Sequence, residues 1–218
     1  MTNVTSEFTG DRKKFLGSKI VLVPDPRDKS SGPRAFWFDE GNGYVKLKAG
    51  SPPGDAADKT TVSAYWLPWD TNAIAVLDLA GDADYFFTSE MTGCTFKVLT
   101  AAAKTPKVAH IPGTMIPSKQ VNAEKELLKN VPESERATGK GSVLSISGSE
   151  THGYGGQDAK DKDGKTSPGS AFVFGFKDAD GNWKFQAQIV KANLADENAF
   201  RNSLKSAVPR IAELFEFK

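Results

Sequence analysis

One cysteine and two histidines in 218 residues is a thin supply of the side chains that most enzyme chemistry uses. A single Cys94 cannot close an internal disulfide, which excludes a disulfide-stapled scaffold and leaves a small buried apolar group or a reactive thiol. His110 and His152 have no partner at metal-ligand spacing, so nothing supports a histidine-held metal. Charge of one sign is lacking too: 28 Lys and Arg against 27 Asp and Glu leave a net +1. That balance lacks the basic excess of a dedicated nucleic-acid or anionic-membrane binder, so neither partner is expected. No run approaches the roughly 20 apolar residues that span a bilayer. Residues 1–17 are mostly polar and lack the charged-then-apolar plan of a secretory signal. The expected location is the cytoplasm, or outside the producing cell by a route without a classical signal peptide.

What is present is the stock of a folded domain. Hydrophobic residues make up 39% and charged residues 25%, with 14 Phe and 4 Trp, enough to bury a core and far from a disordered composition. No fixed-period repeat and no linker between dissimilar halves appears, so the chain reads as one domain, 1–218.

The pattern along the chain is mostly that of strands. Lys19 to Val23 is an apolar run stopped by Pro24 and Pro26. Arg34–Phe38 and Tyr44–Lys48 flank a Gly-rich linker that suits a hairpin, and Thr60–Trp69 is β-branched and aromatic up to Pro68. Residues 73–79 suit strand or helix. Asp84–Thr88 and Cys94–Leu99 are strands separated by a Gly-containing turn, followed by Pro106–Ile111 and, later, Ser142–Ser147. A short helix is expected over Asn122–Asn130, and a long exposed loop over residues 148–169, rich in Gly, Ser, Asp and Lys. Ala171–Phe176 and Trp183–Val190 bracket Asp178-Ala-Asp-Gly-Asn182, the strongest hairpin signal. From Asp196, Phe200, Leu204, Val208, Ile211 and Phe215 recur at helical spacing, with Pro209 inside the run. The expectation is α+β: a central mixed or antiparallel β-sandwich flanked by helices, with a C-terminal helix packed on the sheet.

Three motif-like stretches fail on inspection. The Asp158–Gly164 stretch has Ala159 two before Asp161, and Ser170 where a calcium loop needs a bidentate Glu. Gly139-Lys140-Gly141-Ser142 lacks the leading Gly of a phosphate loop, where Ser134 stands. Asn3-Val4-Thr5 fits a glycosylation acceptor, which means little without a secretory signal.

Cys94 and His110 are what remains. A cysteine nucleophile near neutral pH needs a group to take its proton, and histidine is the usual one. Cys94 opens a predicted strand directly after Gly93, where backbone N–H groups of Gly93 and Cys94 can point at a developing oxyanion. His110 lies sixteen residues on, in a later strand, so tertiary pairing would have to join them. Composition alone favours the plainer reading, because a lone strand Cys is more often core filler and a lone His more often structural.

The neighbouring residues shift that balance. Trp66-Leu67-Pro68-Trp69, Phe86-Phe87-Thr88, Met91-Thr92-Gly93-Cys94 and Val108-Ala109-His110-Ile111 resemble, in order and approximate spacing, the glutamine-deamidase toxins of the Burkholderia lethal factor type. Those share a catalytic fold with the cytotoxic necrotizing factor catalytic domain and, more distantly, with chemoreceptor glutamine deamidases. The resemblance covers residues 65–111. It implies Cys94 as nucleophile, His110 as general base and acid, and Thr88, six residues before the cysteine, as the orienting third member. Trp66 and Trp69 are candidate cleft walls, although aromatics more often pack a core. His152 reads as a bystander on the loop.

The resemblance implies a toxin-like enzyme, a virulence factor that turns a target glutamine into glutamate. It implies a host regulatory GTPase or a translation-initiation helicase as partner, with translation inhibition following from the latter. It calls for no cofactor or metal, and the chain is expected to be a monomer. Two alternatives stay open: a transglutaminase, in which an amine resolves the same thioester, and a non-enzymatic β-rich binding module with an inert Cys94.

Overall fold

The β-branched and aromatic runs become strands of two sheets, and which sheet a strand joins decides where the candidate site lies. The computed structural model describes residues 3–23, 30–41, 43–54, 60–70, 73–91, 94–112, 122, 125–129, 131–137, 143–145, 170–190 and 209–215. The larger sheet has eight strands: β1 (Ile20–Leu22), β2 (Gly32–Glu40), β3 (Tyr44–Ala49), β4 (Val62–Leu67), β6 (Tyr85–Thr88), β10 (Ser170–Lys177), β11 (Trp183–Val190) and β12 (Pro209–Phe215). The smaller has four: β5 (Ala75–Asp78), β7 (Thr95–Val98), β8 (Lys107–Ile111) and β9 (Val143–Ser145). Their orders are β1-β3-β2-β4-β6-β10-β11-β12 and β5-β8-β7-β9. The large sheet is mixed, because β1 runs parallel to β3 and β4 parallel to β6, while the small sheet is antiparallel. The class is α+β, mainly β.

Both faces of the large sheet are apolar, so it borders two cores. Along β4, Val62, Ala64 and Trp66 join one core, and Tyr65 and Leu67 the other. The first core holds Phe8, Phe38, Phe87, Phe172 and Phe174 and is closed by two short helices, α1 (Val4–Gly10) and α2 (Arg12–Ser18). The second lies between the sheets, where Phe86, Phe185 and Ala187 meet Phe96, Val98 and Val108.

The large sheet curls until it is nearly closed, which brings β11 to β1. Gln188 of β11 is fully buried; its Oε1 accepts the Val21 N–H of β1 at 2.9 Å, and its Nε2 donates to Leu16 O and Lys19 O at 2.5 and 2.7 Å. One amide thus ties β11 to β1 and to the end of α2.

The hairpins at β2–β3 and β10–β11 form as expected. In the second, the Asp178 carboxylate accepts the N–H groups of Asp180 and Asn182, and Gly181 takes φ +78°. Residues 125–129 are helical, and residues 75–78 resolve the ambiguity as strand. Two features carried no expectation, and one expectation, that of a C-terminal helix, is corrected. The polar N-terminal segment forms α1 and α2, capped by Asn3 and Asp11, with Phe8, Phe15 and Leu16 buried. The strands on either side of Cys94 belong to different sheets, β6 to the large and β7 to the small. The helix expected at the C-terminus is, over Pro209–Phe215, edge strand β12 paired antiparallel with β11. The rest of that predicted helix and the loop at 148–169 lie outside the described residues. Among the described residues, no helix is long and apolar enough to cross a membrane.

Candidate active site

Thr88 ends β6 opposite Leu67, the last residue of β4. Two residues on from Phe86, it faces the core between the sheets, and it is fully buried. Pro68 stops the β4 ladder there because it has no N–H to give. Ser89 takes over: its N–H donates to Leu67 O at 3.2 Å, and its Oγ accepts the Trp69 N–H at 3.0 Å.

His110 comes from the other sheet. In β8 it stands opposite Phe96 of β7 on one side and Ala75 of β5 on the other. Its Nδ1 lies 2.8 Å from Thr88 Oγ1, so the two residues link the sheets through their shared core.

The direction of that hydrogen bond follows from counting protons. The Thr88 hydroxyl has one, and donates it to Leu67 O at 2.9 Å. Toward His110 the hydroxyl oxygen is therefore the acceptor, and Nδ1 carries the hydrogen. In the neutral ring this leaves Nε2 unprotonated. Nε2 is buried and has no hydrogen-bond partner among the described residues. Burial in the apolar layer also disfavours the charged ring, lowering the His110 pKa from 6.5 to about 3. His110 is thus a neutral base with its lone pair held inside the protein.

Cys94 lies in the same layer. It immediately precedes β7, two residues before Phe96, and packs in one cluster with Leu67, Met91, Phe96 and Ala171. A residue two before His110's partner occupies a diagonal cross-strand position, where α-carbons in a regular ladder stand roughly 7–8 Å apart. Upstream, Met91 and Ala171 exchange two backbone hydrogen bonds, 2.9 and 3.0 Å, fixing the chain ahead of Cys94 to the start of β10. Cys94 is 6% exposed and His110 1%.

The candidate residues therefore separate. Thr88 and His110 are in contact between the sheets, and Cys94 lies in the same layer. Trp69, half-buried, packs against the same cluster. Trp66 does not: it is 1% exposed on the opposite face, against Phe36 in the helix-capped core, so it is no wall of this site. Gly93 and His152 lie outside the described residues. Sequence reasoning missed the Leu67 carbonyl, Ser89 and Ala75. Among the described residues, no group of three or more His, Cys, Asp or Glu is placed to hold a metal.

The fold and site together define a mainly β, α+β protein with a threonine-held histidine and a cysteine enclosed between two sheets. No protein-family model matches the chain, and no curated protein sequence does either.

Proposed function

We propose that this protein is a cysteine-dependent protein-glutamine deamidase. The observation that carries the reading is the Thr88–His110 bond, which leaves a neutral imidazole with Nε2 as an unpartnered base in the layer that holds Cys94. In this scheme the Cys94 thiol gives its proton to Nε2 as sulfur attacks the carboxamide carbon of a target glutamine. Nε2–H then protonates the departing ammonia, leaving a thioester. Water attacks the thioester, His110 takes a proton from it, and cleavage of the carbon–sulfur bond returns the thiol and a glutamate. Because burial disfavours imidazolium, proton transfer accompanies attack instead of preceding it as a standing ion pair. When His110 is transiently charged, Thr88 Oγ1 still accepts from Nδ1.

The resemblance of residues 65–111 to glutamine-deamidase toxins supports the same reading. It supplies a host regulatory GTPase or a translation-initiation helicase as candidate targets. Mapping glutamine-to-glutamate conversion by mass spectrometry, in lysates treated with wild-type protein or Cys94→Ser, tests it. Conversion is expected only with the wild type, accompanied by ammonia. A primary amine incorporated at the glutamine would show transglutamination instead.

The burial of Cys94 and His110 favours a second reading, a β-rich binding module with a structural cysteine. Equal behaviour of wild type and Cys94→Ser in every lysate, with a thiol that resists alkylation until unfolding, would establish it.

A further inference from the structure

A nucleophile enclosed between two sheets needs a way in, and the packing around it narrows the choice. Leu67, Met91, Phe96 and Ala171, which share the cluster with Cys94, are completely buried. The partly buried residues packed on that cluster are Trp69, Ala75, Leu77 and Ala137. Ala137 donates its N–H to Leu99 O, beyond the far end of β7 from Cys94. Leu77 stands opposite Val108, one same-face position further along β5 than Ala75. Among these described residues, Ala75 and Trp69 are the two tied to the site. Ala75 is directly opposite His110, and Trp69 is tied through its N–H to Ser89, the neighbour of Thr88.

β5 is also an edge strand, so no further strand of the small sheet lies beyond Ala75 among the described residues. Ala75 carries only a methyl group, and a longer side chain there would extend over the face of the sheet it shares with His110. We propose that the substrate carboxamide reaches His110 and Cys94 over the edge of β5, between Ala75 and Trp69, with the small side chain of Ala75 setting the width of the passage. The passage suits a slender side chain ending in a flat primary amide and excludes a branched one. This inference rests on the deamidase reading and adds a specificity-determining residue to it.

The test is the alkylation rate of Cys94 in the folded full-length protein with two reagents of different girth. Iodoacetamide ends in a primary amide; N-ethylmaleimide is broader. The variants are Ala75→Leu, Ala75→Gly and, as a control on the other face of the same strand, Val76→Leu, each checked for an unchanged melting transition. Ala75→Leu should slow iodoacetamide about tenfold or more, the scale on which pockets discriminate added methylenes. Ala75→Gly should speed N-ethylmaleimide several-fold, and Val76→Leu should change neither. The Gly variant keeps the proposal open to refutation if the Leu variant fails to fold. Ammonia release from a glutamine-containing peptide is followed in parallel. Release that depends on Cys94, together with alkylation indifferent to residue 75, would overturn the route and leave the deamidase standing. A thiol inert to both reagents in every variant, with no ammonia released, would overturn both.

Discussion

Thr88 offers one hydroxyl proton to two neighbours, and the Leu67 carbonyl holds it. His110 must therefore donate to Thr88. Removing the hydroxyl while keeping the shape, in Thr88→Val, frees the ring to adopt either tautomer and should cut deamidation by roughly 100-fold or more, the scale of a misplaced general base. Thr88→Ser keeps the donor–acceptor arrangement and should retain most of the activity, so the pair of variants separates hydroxyl from methyl in a turnover assay. Burial of the same ring also links stability to pH. The unfolded chain takes up a proton near pH 6.5, whereas the folded protein resists it until about 3. Between those values only the unfolded state gains the proton, so stability is greatest above pH 6.5 and falls on acidification. The slope is about 1.4 kcal/mol per pH unit for this one group. Denaturant titrations from pH 7 down to 4 should show this component, and His110→Phe should remove it. Of these residues, Cys94 and His110 were legible because their types are rare and reactive. Thr88 was legible only through a family pattern. The Leu67 carbonyl and the Ala75 methyl carry no signature of residue type and appear only when strands pair.

Strand register shows where sequence patterns carry structural information and where they do not. The β-branched and aromatic content of β4, and Gly with Asp and Asn between β10 and β11, have few alternative solutions, and both formed as read. A spacing of four residues has two. Positions four apart share a face of a helix and, four being even, equally a face of a regular strand, so spacing alone does not choose between them; in β12 itself a register shift opposite Phe185 and Gln186 breaks the alternation. Pro209 then opens β12 at little cost because β12 is an edge. Pairing with β11 decides the matter, and that pairing is invisible locally. In α1 and α2 the caps were written in the sequence, Asn3 and Asp11, but seven-residue helices bury too few positions to stand out. Two substitutions test how these elements are joined. Gln188→Leu strands the Val21 N–H and the Leu16 and Lys19 carbonyls where β11 meets β1 and α2. The loss expected in a denaturant melt is about 2–5 kcal/mol, the scale for unmade buried hydrogen bonds. Gly175, paired with Phe86, leaves no room for a side chain: an added Cβ would stand 2.9 Å from Phe185 Cε1 and 3.2 Å from Phe86 Cβ. Gly175→Ala should cost about 1–3 kcal/mol by overpacking.

Across the whole molecule, the large sheet separates two aromatic cores with different tasks. The helix-capped core, with Phe8 set among Phe15, Phe38, Tyr85, Phe87 and Phe174, anchors the N-terminal helices to the curled sheet. The core between the sheets encloses a polar contact, Thr88 with His110, in an otherwise apolar layer. A buried polar pair is tolerated there because the hydroxyl and Nδ1 satisfy each other and the Leu67 carbonyl. Nε2 is left over: among the described residues it is a buried acceptor without a partner, as the Trp183 Nε1–H of the same core is a buried donor without one, and the proposed chemistry gives Nε2 a use. The proposed chemistry thus turns on a protonation state, which long-range nitrogen–proton correlation NMR of the histidine rings reads directly. With only His110 and His152 present, His110→Gln identifies the signals. His110 is expected to be the neutral Nδ1–H tautomer at pH 7 and to stay uncharged well below pH 6. An Nε2–H tautomer, or a ring that titrates near 6.5, would contradict it.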